Sequence, residues 1–468
     1  MDESSTPQRW WRDRGRLLAI AAVLAGLGAV AAGIGYQVLK RPSDVHNGAD
    51  VAFHAQPPPK PVKKAAKRVD WPTFGFDRAR TRFLPAKGVK PPYKKVWRYS
   101  EGPLLEFPPA YANGRLYFVN NNGFAYALDA KTGKTIWSRR IAELNASAPT
   151  YSHGRLYIVN LEPGQVLKLN AKNGHTVWKR PLPGRAESSP LVVGDTVYFG
   201  CETGQLFALN TRTSKTRWTT TLGGAVKASP AYHHGIIFVG DYGGDMSAIN
   251  AATGKIKWQA SSQGPGFAQS GEFYSTPAVA FGRVYAGNND GRVYSFDEKN
   301  GTLAWSHSTG SYVYSGATVA QTQHSPPSVY IGSYDGNIYA LDAKTGATRW
   351  SHPIGRVIGS LSAVGNIVYV ATFDGTTTYG FKMASGKQVF HFPTGAYMPV
   401  ISDGRWIYLT GYSSITALKP YDPNAKHKSN HGGPKKQKQA AKKQKHSGTG
   451  KKPKQPKQHQ KHGGGKHS

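Results

Sequence analysis

Seven side chains in this sequence have types and settings suited to one shared site. Glu106, Glu187 and Glu272 offer carboxylates, Lys227 an ammonium, and Tyr274, Tyr314 and Tyr397 phenols. They fall in short stretches that resemble one another, such as GRAESSP, GAVKASP, GEFYSTP and GAYMPV. Carboxylates beside aromatic rings can hold a hard cation and a flat ligand. The same set also makes a plain water-filled channel in which Glu187 and Lys227 pair. A Ca²⁺ site takes roughly 6–8 oxygens, and no cluster of carboxylates in the sequence converges in that number. Familiar catalytic signatures are missing: there is no Walker loop, no HExxH and no Gly-x-Ser-x-Gly. The chain has one cysteine, Cys201, so an internal disulfide and a multi-cysteine zinc site are excluded. His233–His234 reads as a surface turn, and Asn145-Ala-Ser147 matches a glycosylation sequon.

What could bring residues so far apart in sequence together is a repeat. LDAKTGKTIW ends at Trp137 and LDAKTGATRW at Trp350. Related copies end at Trp178, Trp218, Trp258 and Trp305, and a worn one, GFKMASGKQVF, ends at Phe390. A period near 40 residues points to stacked units or propeller blades. Each period holds four short β-branched and aromatic runs separated by tight polar turns, as in SSPLVVG, DTVYFG, QLFALN and KTRWTTTL. No helical periodicity fills it, and four strands in about 40 residues make one blade. The Gly of each copy suits a left-handed turn position. The ring of the Trp suits the seam between blades, with its indole N–H bonded to a neighbouring carbonyl.

The pattern Ala-x-Asp/Asn-x-x-Thr-Gly-x-x-x-Trp resembles the tryptophan-docking motif of the PQQ-like (pyrroloquinoline-quinone-type) β-propellers. The lead-in WPTFGFDRARTRF, from Trp71 to Phe83, is similar to the start of that family. The departures are Ser214 for Gly, Phe390 for Trp and Lys382 for Asp. Trp97 lies 40 residues before Trp137 with no motif of its own, and the stretch 399–420 supplies three strands and stops. The strand at Trp97 is expected to complete that last blade, closing the ring and removing a sheet edge. The expected fold is all-β: an eight-bladed propeller of four-stranded blades over residues 71–420. Its anchors are Trp97, Trp137, Trp178, Trp218, Trp258, Trp305, Trp350 and Phe390. A closed ring of this kind is expected to be monomeric.

The ends of the chain speak to location. Leu17 to Leu39 is an apolar stretch without a charge, long enough at ~1.5 Å per residue to span a bilayer as a helix. Arg9, Arg12, Arg14 and Arg16 precede it, and only Lys40 and Arg41 follow directly. The positive-inside bias puts residues 1–16 in the cytoplasm and the rest outside. An uncleaved single-pass anchor is expected at residues 17–39. Residues 40–70 are Pro- and Lys-rich and read as an extended stalk. Residues 421–468 carry 14 Lys and six His among polar residues, a large part of the net charge of +34. Such a tail is expected to be disordered and to meet polyanions, either anionic lipid or cell-wall polymer.

The resemblance implies two classes of activity. One is a quinoprotein dehydrogenase holding PQQ and Ca²⁺ at the channel mouth. The other is a non-catalytic scaffold of the BamB type. Near-bare blades and the lack of a Cys–Cys pair favour the scaffold, with no cofactor. A binding or assembly scaffold in the cell envelope is the expected function, with envelope proteins as partners. The alternatives are a PQQ/Ca-dependent oxidoreductase and a surface sensor or adhesin. The channel-mouth candidates in either case are the seven residues named at the outset.

Overall fold

The computed structural model describes residues 42–55, 57–60, 68–100, 102–264, 271–397 and 400–423. The expected membrane span at 17–39 and almost all of the tail lie outside these residues. Among the described residues no helix is long and apolar enough to cross a membrane.

Blade 3 shows how the sequence makes its unit. Leu191–Val193, Thr196–Gly200, Gln205–Asn210 and Thr216–Thr221 pair antiparallel in that order. The second strand, TVYFG, is buried along its whole length because neighbouring blades cover both of its faces. The outermost strand, TRWTTT, buries its Trp and leaves most of the rest open. This fits the rule that β-branched and aromatic runs sit in the interior of packed sheets. Seven such units span 110–140, 150–181, 191–221, 231–261, 278–308, 318–353 and 362–392, here blades 1 to 7. Blade 8 joins the last three strands of the chain to Tyr93–Ser100, which runs antiparallel to Ser414–Pro420. The ring thus closes with the first strand of the blades paired to the last. Blade 7 departs from four strands, because Phe83–Leu84 adds a short parallel strand beside Ser362–Val364.

The register slips at the same place in every blade. Ala208 faces Trp218 but Leu209 faces Thr216, so Arg217 is an extra residue. Equivalent slips lie beside Trp97, Trp137, Trp178, Trp258, Trp305, Trp350 and Phe390. A bulge re-aims the next side chain, and here it turns the ring toward the following blade. The indole N–H of Trp137 donates to the Ala171 carbonyl at 3.1 Å, and that of Trp218 to Ala251 at 3.0 Å. Trp97, Trp178, Trp258, Trp305 and Trp350 donate in the same way to Ala130, Thr211, Glu298, Ala343 and Met383. At the last seam Phe390 has no donor. Tyr93 meets it edge-on at 5.4 Å, and the Tyr93 hydroxyl bonds that of Tyr369 at 2.6 Å.

Glycine is required under these rings. A Cβ on Gly254 would lie 2.7 Å from the Trp218 ring, and one on Gly346 would lie 2.7 Å from Trp305; both glycines have positive φ. Under Trp178 stands Ser214, held at φ 59°. Trp178 is also the tilted member of the set. Its plane makes 61° with Tyr157, whereas the corresponding pairs at Trp218, Trp305 and Trp350 make 45°, 40° and 42°.

Two segments outside the blades shape the ring. Residues 69–84 thread the channel, bonding in turn to Asp403, Tyr111, Tyr151, Tyr232, Val279, Val319 and Ala363 on the innermost strands. Arg80 is fully buried there and donates to the carbonyls of Phe74, Ser189, Pro190 and Pro230 and to Thr73 Oγ1. The lead-in is therefore a plug that only at its end, at Phe83–Leu84, joins a blade.

The second segment corrects the picture of a free stalk. Residues 42–54 lie along blade 5. Asp44 accepts from Ser308, Val45 exchanges bonds with Ser306, and His46 pairs with Trp305. Buried Arg283 donates to the carbonyls of Gly48, Val51 and Ala52, and buried Arg292 to that of Pro42. Two buried guanidiniums need acceptors, and this strap supplies them.

Replacing Ser214 by Gly removes both the left-handed strain and the Cβ beneath Trp178. Ser214→Gly is expected to raise stability by about 1 kcal/mol, read as a higher urea midpoint at unchanged slope. An unchanged or lower midpoint would mean the tilt of Trp178 has another cause.

Candidate binding site at the channel mouth

Each blade's fourth strand connects to the first strand of the next blade on one face of the ring, and the turn between second and third strands reaches the same face. The plug closes the channel below it. Phe74 from the plug lines a small cavity of about 50 Å³ together with Glu106, Glu187, Lys227, Tyr274, Tyr314 and Tyr397. Six of the seven side chains named from sequence therefore converge. Glu272 does not line the cavity. Its carboxylate accepts from Asn289 Nδ2 at 2.7 Å, and its backbone N–H donates to Asn289 Oδ1, so it caps the turn of blade 5.

The charge balance at the mouth is uneven. Lys227 Nζ lies 3.3 Å from both Glu187 and Glu202. Burial works against the ammonium, but the two carboxylates outweigh it and raise the Lys227 pKa. Burial raises Glu187 in spite of the same Lys227, with Glu202 adding to the rise. The two partners thus shift in senses that do not match a simple pair. Burial accounts for this: at Glu187 it outweighs the Lys227 charge, whereas at Lys227 the two carboxylates together outweigh it. Glu106 lies beyond the pair, and burial followed by the Glu187 charge pushes it up to about 7.

The other side of the mouth is aromatic. Tyr242 and Tyr274 have ring centroids 6.3 Å apart, and Tyr274 meets Tyr314 edge-on at 5.6 Å. Tyr312 and Tyr334 continue the arc from Tyr314. The Arg356 guanidinium lies 5.0 Å over Tyr334 and 5.9 Å over Phe373, and Phe373 meets Tyr397 at 5.6 Å. Arg356 is also paired with Asp374. Tyr312 and Tyr412 stand half exposed on this face, at 50% and 52%. The sequence reading missed Tyr242, Tyr334, Phe373, Arg356 and Glu202. A signal was present: Glu202, Tyr242, Tyr334 and Phe373 occupy the same place in the second-to-third turns CETG, DYGG, SYDG and TFDG.

Asn145 is 2% exposed and donates its amide to the Ser147 carbonyl, so the sequon is closed in the folded chain.

A family profile described as "Outer membrane protein assembly factor BamB" matches residues 90–229 and 215–424, well over half of the chain. The chain belongs to this PQQ-like propeller family. A search of curated protein sequences finds no match. Solved structures share the fold. BamB from Moraxella catarrhalis superposes with a TM-score of 0.58 at 17% identity, covering 70% of this chain and 97% of that one. A europium-containing methanol dehydrogenase gives 0.64 at 13% identity, covering 75% and 98%. A quinohemoprotein alcohol dehydrogenase from Comamonas testosteroni gives 0.61 at 15%, covering 76% and 81%. Members of this fold thus include both an assembly factor and dehydrogenases.

Glu106 supplies a test of the mouth's electrostatics. Its folded pKa of about 7 stands above the ordinary 4.5. The folded chain keeps a proton that the unfolded chain has lost between these values, so stability falls as pH rises through that window. Below it Glu106 is neutral in both states. Glu106→Gln is expected to match the parent near pH 4 and to exceed it near pH 8 in denaturant midpoint. Parallel pH profiles for the two proteins would assign the buried proton elsewhere.

Proposed function

We propose that this protein is a non-catalytic binding and assembly scaffold of the cell envelope, and that the channel mouth is its partner-binding face. The observation that carries this reading is the aromatic arc from Tyr242 to Tyr397 beside an excess of carboxylate at Glu106, Glu187 and Glu202. Exposed aromatic rings are favoured anchors for protein partners. A segment with apolar side chains flanked by Lys or Arg is the complementary partner. Membership of the family described by BamB supports the same reading.

A redox role fits the mouth less well. Sites for flat organic cofactors are roughly 300–1,000 Å³, whereas the cavity above Phe74 is about 50 Å³. PQQ is an anion, and it would meet Glu106 and Glu187 with Lys227 and Arg356 already paired. The carboxylates at this cavity number two, Glu106 and Glu187, short of the oxygen count of a Ca²⁺ site.

In this reading residues 17–39 anchor the chain in the membrane, and the strap fixes how the ring is presented. Pro42 and Asp44 sit at the mouth end of blade 5, beside Arg292 and Ser308. Three residue steps separate Pro42 from Leu39, a reach of about 10 Å. The mouth-side rim of blade 5 is thereby held close to the bilayer, with Tyr312 near it. The Lys-rich tail adds attraction to anionic polymers or lipid.

A photocrosslinking residue at Tyr312 or Tyr334 is expected to capture a discrete envelope protein in cells, and one at the outer-edge residue Ile256 to capture none. Calorimetry with PQQ and Ca²⁺ is expected to give no saturable heat. Saturable binding near one PQQ per chain, lost in Glu187→Ala, would replace the scaffold by a redox enzyme.

The orientation has its own test. Cys201 is buried, so an introduced cysteine is the accessible thiol. In full-length protein in liposomes, bimane on Tyr312→Cys is expected to be quenched by headgroup-labelled lipid. Bimane on Thr213→Cys, in a turn of the opposite face, is expected not to be. Equal quenching at both would remove the mouth-down arrangement.

A further inference from the structure

We propose that the seam between blades 4 and 5 carries a binding site for a borderline divalent metal ion, Zn²⁺ in the first instance. Its ligands are His233, His234 and Glu298. The site lies on the face opposite the mouth and is independent of the scaffold reading.

The three ligand atoms come from two blades. His233 ends the first strand of blade 4, and His234 follows in the turn with φ 44°. That left-handed turn conformation swings the second imidazole alongside the first, with ring centroids 3.8 Å apart. Glu298 opens the third turn of blade 5. Its backbone is fixed twice: the N–H donates to Gly282, and the carbonyl accepts from the Trp258 indole. The seam contact that locks the two blades therefore also sets the carboxylate against the imidazoles. His233 Nδ1 lies 2.5 Å from Glu298 Oε1, and the ligand atoms of all three residues lie within 4.8 Å of one another.

The donor set is two imidazole nitrogens and one carboxylate oxygen. This is the ligand chemistry of Zn²⁺ and, along the affinity order of the divalent ions, of Ni²⁺ and Cu²⁺. With bonds of about 2.0–2.1 Å, tetrahedral ligand atoms stand about 3.3 Å apart. Side-chain rotations of an ångström or so bring the three atoms to that spacing. The ion would take the place of the direct contact between His233 Nδ1 and Glu298 Oε1. A fourth position is open toward a cavity of about 380 Å³ lined by His234, Glu298, Asp297, Lys257, Lys299 and His54. The acidic Asp297 and Glu298 offset the two lysines. His54 reaches this cavity because the strap ends there, its N–H bonded to the Phe281 carbonyl. An ion at this place would clip blade 4 to blade 5 beneath the strap.

The six histidines after Tyr421 can bind metal on their own, so the test separates them. A full-length chain with those six changed to Ala is titrated with Zn²⁺ by calorimetry and with Co²⁺ by visible absorption. The expected result is one ion per chain, intense tetrahedral Co²⁺ bands, and a higher midpoint of thermal unfolding with Zn²⁺. His234→Ala and Glu298→Gln in that background are expected to weaken binding at least tenfold and to abolish the rise in midpoint. Glu298→Gln keeps the backbone carbonyl that Trp258 needs, and circular dichroism checks that both variants fold. Binding that vanishes with the tail histidines, or that both substitutions leave unchanged, overturns the site.

Discussion

Everything in this ring depends on one contact made repeatedly: an indole ring lying over the left-handed turn residue of the next blade, a glycine at all but Ser214, its N–H bonded to the carbonyl three residues earlier. A closed propeller has no free edge along which error can dissipate. If one seam opens by an ångström, the others must absorb it. A contact that is both flat and directional sets the angle and the height of each blade at once. The bulge before each Trp is the backbone's part of that contact. The seam between blades 7 and 8 shows what is needed when the indole is gone. Phe390 keeps the apolar surface, and Tyr93 brings a hydroxyl that bonds Tyr369. Burial holds both phenols protonated, so the substitute remains a neutral hydrogen bond.

Because the ladder and the seams fix the backbone, the residues on the two faces are free to differ from blade to blade. Glu202, Tyr242, Tyr334 and Phe373 stand at equivalent turns yet form two different surfaces. Glu202 joins the cluster around Lys227, and the aromatics join the arc that ends at Tyr397. A near-symmetric frame carrying an asymmetric face suits the recognition of one oriented partner. Closure of the channel from below points the same way. Arg80 draws in carbonyls from the connections that lead into the innermost strands of blades 3 and 4, leaving a shallow floor at Phe74 instead of a deep pocket.

How far the sequence could be read follows from what repeats. The blades were legible because strand alternation, the turn glycine and the Trp recur together, and even the closing strand at Trp97 followed from the count. Five mouth residues, Glu106, Glu187, Lys227, Tyr274 and Tyr314, are legible because each stands three residues before a Pro or a small residue, and Tyr397 lies beside that position in the last connection. Glu272 stands two residues before Tyr274 in the same connection, but the side chain turns to Asn289, and no pattern within one chain records such a choice. Tyr334 and Phe373 escape because they enter the mouth from turns that read in sequence only as punctuation, and Arg356 because it stands early in the connection GRVIGSL, away from the position that repeats. The strap escaped for a deeper reason. Residues 42–54 have no periodicity, since they bind largely through backbone groups, with Asp44 and Phe53 as isolated side-chain contacts. Their partners, Arg283 and Arg292, look in sequence like ordinary strand-end charges.

The strap also breaks the ring's symmetry at a definite place. It runs down blade 5, from Arg292 at the mouth end to Arg283 and the Phe281 turn at the other. The adjoining blades are those with the most individual chemistry: Tyr274, Tyr312 and Tyr314 above, His233, His234 and Glu298 below. The blades far from it carry the carboxylates Glu106, Glu187 and Glu202. A guanidinium buried without an acceptor is costly, so Arg283 and Arg292 make blade 5 dependent on the strap. A displacement of Pro42 therefore acts first on Arg292, then on Ser308 and Ser306, and reaches Arg283 only after them. Through Trp305, which pairs with His46 and docks on Ala343, the same displacement reaches the seam to blade 6. Strap and ring are thus mechanically continuous, and the mouth residues of blades 5 and 6 stand where the two meet.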